Sequence, residues 1–190
     1  MLLEDLVAVE PPTTTAAGAR LLDTAEELFY GRGIGAVGVD LVADEADVTK
    51  RTLYQRFGSK DGLVAAYLQR RAHRWQSQVL AAVSQADDRA GRLDAVFTVG
   101  GQWRATNTRG CAFLNAWSEL GSISGDRTGK VVAAEKEWMR DLFRAIVDDD
   151  ETAEQVHLLY EGALVTGAVL SSPDSFATAA RAARSLLARA

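Results

Sequence analysis

The chain has 190 residues, 47% of them apolar, and a formal net charge of −5, which is long enough to bury a core as one domain or as a small domain fused to a larger one. The acidic balance excludes a nonspecific nucleic-acid coat, whose affinity comes from a large excess of Lys and Arg, so any nucleic-acid site has to be local. One cysteine, Cys111, with only His73 and His157 beside it, excludes an internal disulfide, a redox pair and the usual zinc sites, and fits a reducing cytoplasm.

Helical periodicity recurs almost everywhere and strand-like alternation does not, so the fold class predicted is all-α. The opening carries Glu4, Asp5 and Glu10 where a secretory signal would be basic, then Pro11, Pro12 and three threonines; residues 1–15 read as a flexible leader. Leu21, Leu22, Ala25, Leu28 and Phe29 form the stripe of a first helix that Gly31 and Gly33 end. A short second helix spans 39–46, with Asp40 set to accept from its free amides. Thr49 begins a third helix that runs to Phe57. Ser59 caps a long fourth helix whose inner stripe is Leu63, Val64, Tyr67, Leu68, Trp75, Val79 and Val83. Asp87 and Asp88 break that run, and five more helices are expected at 89–106, 112–120, 127–147, 153–170 and 173–189, about nine in all. Thr152 with Gln155 is read as a capping box, and Ser172 followed by Pro173 as the cap of the last helix. Glu161 and Thr166 interrupt the longest apolar run, residues 158–170, well short of the roughly 18–20 residues a membrane span needs, so no crossing is expected.

The informative segment is VDLVADEADVTKRTLYQRFGSK, residues 39–60, which joins two short amphipathic helices through a tight turn at Ala46, Asp47 and Val48. That is a helix-turn-helix pattern. Ala43 and Ala46 allow a close crossing, while Val42, Val48, Leu53 and Phe57 plug the angle between the helices. From Thr49 to Lys60 the chain carries Lys50, Arg51, Arg56 and Lys60 and no acid, the local positive face that phosphate binding requires.

This segment, the spacing leading into it from RLLDTAEELFYGRGIGAVGV, the run TLYQRFGSKDGL and, less specifically, RGCAFLNAWSELG together resemble the TetR-type repressors. The resemblance covers residue 20 to about residue 68 by motif, and the remainder by length and helix count. It implies a head at 16–60 that binds double-stranded operator DNA, with a linking helix and a ligand-binding and dimerisation body at 61–190. It further implies that Thr49, Tyr54 and Lys60 position phosphates, and that Lys50, Arg51, Thr52 and Gln55 face the major groove. Two departures stand out. Asp47 occupies a turn position usually held by glycine, one that requires a left-handed backbone, and the leader is acidic where a minor-groove arm would be basic.

In the body, LLYEGALVTGAVL and FATAARAARSLLA carry more apolar and small-residue surface than one buried stripe needs. Gly162, Gly167, Ala168, Ala179 and Ala183 would permit close helix approach across a homodimer interface; a helix pair buried inside a monomer is the alternative. Phe97, Trp103, Phe113, Trp117 and Trp138, with Asn107 and Glu161 as polar partners, are read as the lining of a pocket for a small-molecule effector, although any one of these aromatics also serves as ordinary core. Cys111 reads as a small buried hydrophobe or an exposed redox-sensing thiol. No metal-ligand pattern, phosphate loop or nucleophile with its base is present, so no metal, cofactor or catalytic residue is expected. Three readings follow: a ligand-inducible repressor, a DNA-binding regulator without an effector, and a helical enzyme, the last with no motif behind it.

Overall fold

The computed structural model describes residues 2–120 and 127–189. Among them the chain forms a 3-10 turn at Leu3–Asp5 and helices α1 (Ala16–Arg32), α2 (Val39–Glu45), α3 (Lys50–Phe57), α4 (Lys60–Val83), α5 (Arg89–Thr106), α6 (Ala112–Leu120), α7 (Arg127–Val147), α8 (Asp150–Val169) and α9 (Ser175–Leu187), with no strand. The fold is all-α, as expected. Gly121, the last residue of the RGCAFLNAWSELG segment, lies outside the described residues.

The chain divides into two compact units. The head unit comprises Val9–His73 and Ala112–Glu135; the body unit comprises Met1–Ala8, Arg74–Cys111 and Lys136–Ala190. Helices α4 and α7 contribute to both.

In the head unit, Thr15 caps α1 by accepting from the Gly18 amide, and Gly33 ends it at φ 97°; Gly31 stays helical. Leu21, Leu22, Ala25, Leu28 and Phe29 are all buried, and α1, α2 and α3 pack on one another around them. Helix α4 is tied to α1 by charge. Arg70 donates to Asp23 and Glu26, and Arg71 donates to Glu26 at 3.0 Å while its guanidinium lies over the Tyr30 ring. Such pairing is what allows Arg71 to be almost fully buried, since an unpaired charge there would cost several kcal/mol.

The body unit is built around an aromatic cluster. Tyr160 of α8 meets Phe97, Phe143 and Phe176 with ring centroids 5.7–5.9 Å apart, a separation at which edge-to-face contacts add to simple burial. Gly100 of α5 makes room for this: a Cβ there would run into the Phe176 ring.

Four sequence-based expectations are corrected. Asp40 caps nothing, because the N-cap of α2 is Gly38 and Asp40 turns to Lys50 instead. Helix α8 starts three residues earlier than expected, with Asp149 as the cap; its carboxylate accepts from the Thr152 N–H at 2.7 Å, and the Thr152 hydrogen bonds hold that carboxyl below its ordinary range. Helix α9 starts at Ser175 after Asp174, so Ser172 and Pro173 lie in the connection. The leader is also anchored. In the body unit Leu3 and Leu6 pack on the core and Trp138 Nε1 donates to the Val7 carbonyl at 2.9 Å; in the head unit Gln69 donates to the Glu10 carbonyl and His73 Nδ1 to that of Val9. Its leucines and its extended carbonyls supply partners that composition alone does not reveal.

Candidate nucleic-acid interface

The turn between α2 and α3 depends on one strained residue. Asp47 has φ 50°, the left-handed conformation anticipated for a position usually held by glycine, at a cost of about 1–2 kcal/mol for a residue with a Cβ. The Val48 N–H reaches back to the Ala43 carbonyl at 3.0 Å and closes the turn. Arg20 of α1 braces it from outside, donating from Nε to the Ala46 carbonyl at 3.2 Å and from Nη2 to the Asp47 carbonyl at 3.3 Å. No local sequence signal marks Arg20 for this task. Beneath the turn, Val42, Ala43, Ala46, Leu53 and Phe57 are buried, so the orientation of α3 is set by packing.

Thr49 caps α3, its hydroxyl oxygen accepting from the Thr52 N–H at 3.2 Å. With one face of α3 held by Leu53 and Phe57, Lys50, Arg51, Tyr54, Gln55 and Arg56 are exposed and Thr52 is half-buried. Lys50 is not independent: its ammonium lies 2.6 Å from Asp40, whose hydrogen bond and charge raise its pKa above the ordinary lysine value. Lys60, at the start of α4, donates to the Ile34 carbonyl at 2.6 Å and sits 6.0 Å from the Phe29 ring centroid. An ammonium has three N–H donors, so this bond anchors Lys60 without exhausting it. Thr49, Lys50, Arg51, Thr52, Tyr54, Gln55 and Lys60 thus all belong to α3 or its flanks in the head unit.

Of the residues read as pocket lining, Phe97, Trp103, Asn107, Trp138 and Glu161 belong to the body unit and Phe113 and Trp117 to the head unit. In the body unit, Phe97 is buried between Phe143 and Tyr160. Trp103, six residues on and about 240° further round α5 at 100° per residue, packs edge-on against Trp75. With Asn107, Gln78 and Gln102, Trp103 lines an open cleft of about 520 Å³. Trp138 is held by the Val7 carbonyl, and Glu161 accepts from Lys136 at 2.7 and 2.8 Å. Burial alone would raise the Glu161 pKa, but the His157 imidazole and the Lys136 ammonium outweigh it and lower the carboxyl below its ordinary range. Phe113 and Trp117 belong to the head unit, the first buried and the second 45% exposed; Glu119 there accepts from the Gly35 amide at 2.8 Å.

Of the residues read as a dimer face, Gly167, Ala179 and Ala183 are buried within the single chain. They let α8 and α9 approach each other, and a side chain on Gly167 would strike Ser175. Ala168 is half-buried and Gly162 exposed. On the outer side of α8, Gly162 falls in a stripe with Leu158, Val165 and Val169, all exposed. Beside it, Leu158, Leu159, Ala182 and Leu186 line a groove of about 620 Å³ between α8 and α9.

Residues 21–67 match the family described as bacterial regulatory proteins, tetR family. The solved structure of SCO4454, a TetR-family transcriptional regulator from Streptomyces coelicolor, is similar with TM-score 0.78 and 33% identity, over 91% of this chain and 95% of that one. The tetR-type transcriptional regulator sav143 of Streptomyces avermitilis is similar with TM-score 0.70 and 26% identity, over 90% and 99% of the two chains. Among curated proteins, the HTH-type transcriptional activator FasR of Mycolicibacterium smegmatis is 43% identical over 76 residues, which span 40% of this chain and 35% of FasR.

Proposed function

Because the chain belongs to the TetR family of bacterial transcriptional regulators, we propose that it is a cytoplasmic homodimer that represses transcription from an operator and releases the DNA when a small molecule binds. It is a DNA-binding transcriptional regulator and not an enzyme, and no helix among the described residues is long and apolar enough to cross a membrane. The observation that carries the reading is a capped α3 exposing Lys50, Arg51 and Gln55 in a chain whose net charge is −5. Arg pairs bidentately with guanine and Gln with adenine, while Thr49, Tyr54 and Lys60 flank them as phosphate anchors. In this reading residues 16–60 hold the operator and residues 61–190 carry the effector site and the dimer interface.

The exposed stripe of Leu158, Gly162, Val165 and Val169 supports a dimer formed through α8 with α9. The cleft with Trp103, Asn107, Gln78 and Gln102 supports an effector that presents a flat apolar face and hydrogen-bonding edges. The switch is then linkage: an effector that prefers a dimer whose recognition helices depart from the one-turn operator spacing of about 34 Å weakens DNA binding, and a coupling of about 1–3 kcal/mol weakens it roughly 5- to 150-fold.

Selection of bound duplexes from a randomised pool by the full-length chain tests the DNA reading; enrichment of a palindromic site supports it, and no enrichment rejects it. Thermal shift against a small-molecule library then separates an effector-responsive protein from a regulator without one, since native-state binding raises Tm. The name of FasR, an activator, favours a second reading in which the bound protein recruits transcription. A reporter driven from the selected site distinguishes the two by the sign of its response.

A further inference from the structure

The first turn of α7 is built into the head unit, and its bonds end on the recognition helix. Asp61, the second residue of α4, presents its carboxylate to the free amides of α7: Oδ2 accepts from the Arg127 backbone N–H at 3.1 Å and Oδ1 from the Thr128 N–H at 3.2 Å. The Thr128 hydroxyl donates to the same Oδ1 at 2.6 Å, and Thr128 is fully buried. A carboxylate on a helix N-terminus is favoured by the helix dipole as well as by these bonds. The Arg127 guanidinium reaches in the other direction and donates from Nη1 to the Phe57 carbonyl at 3.4 Å. Phe57 is the last residue of α3, so its carbonyl is one of those left without a partner inside the helix. Gly62 keeps the approach open: a Cβ there would collide with the Phe57 carbonyl and crowd Arg127 Nη1.

From this geometry we infer that Arg127 and Thr128 are positioning residues for operator recognition, fixing the end of α3 and the start of α4 from a distance of 70 residues in the chain. The inference rests on the proposal that α3 reads DNA. Because α3 meets bases through a few side chains near one face, a small change at its C-terminal end shifts base contacts while leaving the more tolerant phosphate contacts in place. Helix α7 is therefore a second handle on the recognition helix beside α4, and a displacement of its first turn reaches α3 directly.

The test uses the full-length chain, the duplex it enriches from a randomised pool, and an unrelated duplex of equal length. Affinities for both are measured for the wild type, Thr128→Val, Thr128→Ser and Arg127→Met, with Tm recorded for each. Thr128→Val and Arg127→Met are expected to weaken the selected duplex about fivefold or more, the scale of one imperfect base contact, with the unrelated duplex unchanged and Thr128→Ser restored to the wild-type level. Equal losses on both duplexes, or no loss on the selected one, overturn the inference and leave the cluster a structural cap. Should Thr128→Val not fold, Arg127→Met decides alone, since Arg127 is exposed and its backbone bond to Asp61 survives the change. A wild-type chain that enriches no sequence overturns the DNA reading itself and this inference with it, an outcome distinct from a wild type that selects and variants that do not respond.

Discussion

Asp40 puts a carboxylate 2.6 Å from Lys50, beside the exposed face of α3 that also carries Arg51 and Arg56. The free protein gains little from an ion pair so open to water. Against DNA the pairing matters more, because Lys50 either leaves Asp40 for a phosphate or brings a repelling carboxylate with it. Asp40→Asn should raise affinity for any duplex and steepen the slope of log affinity against log salt by up to about 1.8 for a dimer gaining one phosphate contact per subunit. Titrations across a salt series read this directly; a tighter complex with an unchanged slope assigns Lys50 to base edges. Lys60 and Arg51 separate in the opposite way. Lys60→Ala should weaken every duplex alike and flatten the slope by about 1.8, whereas Arg51→Ala should relax preference at one base pair per half-site by about 1–3 kcal/mol, visible only against single-base variants of the selected site. Some of this surface was legible in the sequence. The left-handed Asp47 was expected from the resemblance, in which glycine usually holds that turn position, and the start of α3 at Thr49 from the residues themselves. The Arg20 brace and the Asp40–Lys50 pair were not legible, because the angle at which the helices cross chooses those partners.

At the level of elements, what could be read depended on how many residues competed for one role. Helix α5 follows the Asp87–Asp88 break, and Asp88 is its cap, accepting from the Gly91 amide at 2.7 Å; its bounds were fixed by local signals. Before α8 two good capping residues compete, Asp149 and Thr152. A left-handed Asp148 at φ 62° turns the chain so that Asp149 takes the position, a backbone choice that a Thr-x-x-Gln pattern does not report. Small residues raise the same difficulty. A helix apolar on several sides does not declare which stripe faces its own neighbour, and Gly167, Ala179 and Ala183 are buried within the single chain. Gly100 shows how tightly α5, α8 and α9 fit, since a Cβ there meets the Phe176 and Tyr160 rings. Gly100→Ala should therefore overpack the core and cost about 1–3 kcal/mol, read as a lower denaturant midpoint with unchanged helix content; a neutral or stabilising result would mean the rings have room to shift.

For the molecule as a whole, stability against pH and assembly depend on different groups of α8. Glu161, read as a pocket group, is half of a pair with Lys136. Its pKa is lowered in the folded state, so its stabilising contribution is fully present above the unfolded value of about 4.3 and is lost as pH falls through the folded value. Glu161→Gln should be less stable than wild type at pH 7, and that gap should close in acid; a gap independent of pH would sink the assignment. The second property is assembly. The outer stripe of α8 leaves Leu158 63% and Val169 74% exposed, the kind of contiguous apolar surface that soluble chains seldom leave uncovered. Val165 lies within that stripe at 45% exposure, so a charge there costs the single chain little, within about 0.5 kcal/mol for a surface site. In a dimer formed through α8 the same charge would be buried without a partner, a heavy penalty. Val165→Glu should therefore sediment as a folded monomer with near-native helix content, and it should bind the selected palindrome far more weakly than wild type because each half-site is then engaged singly. Gly167→Glu should instead damage the protomer itself, as its neighbours are Ser175 and Arg104. A Val165→Glu protein that remains dimeric would move the interface off this stripe.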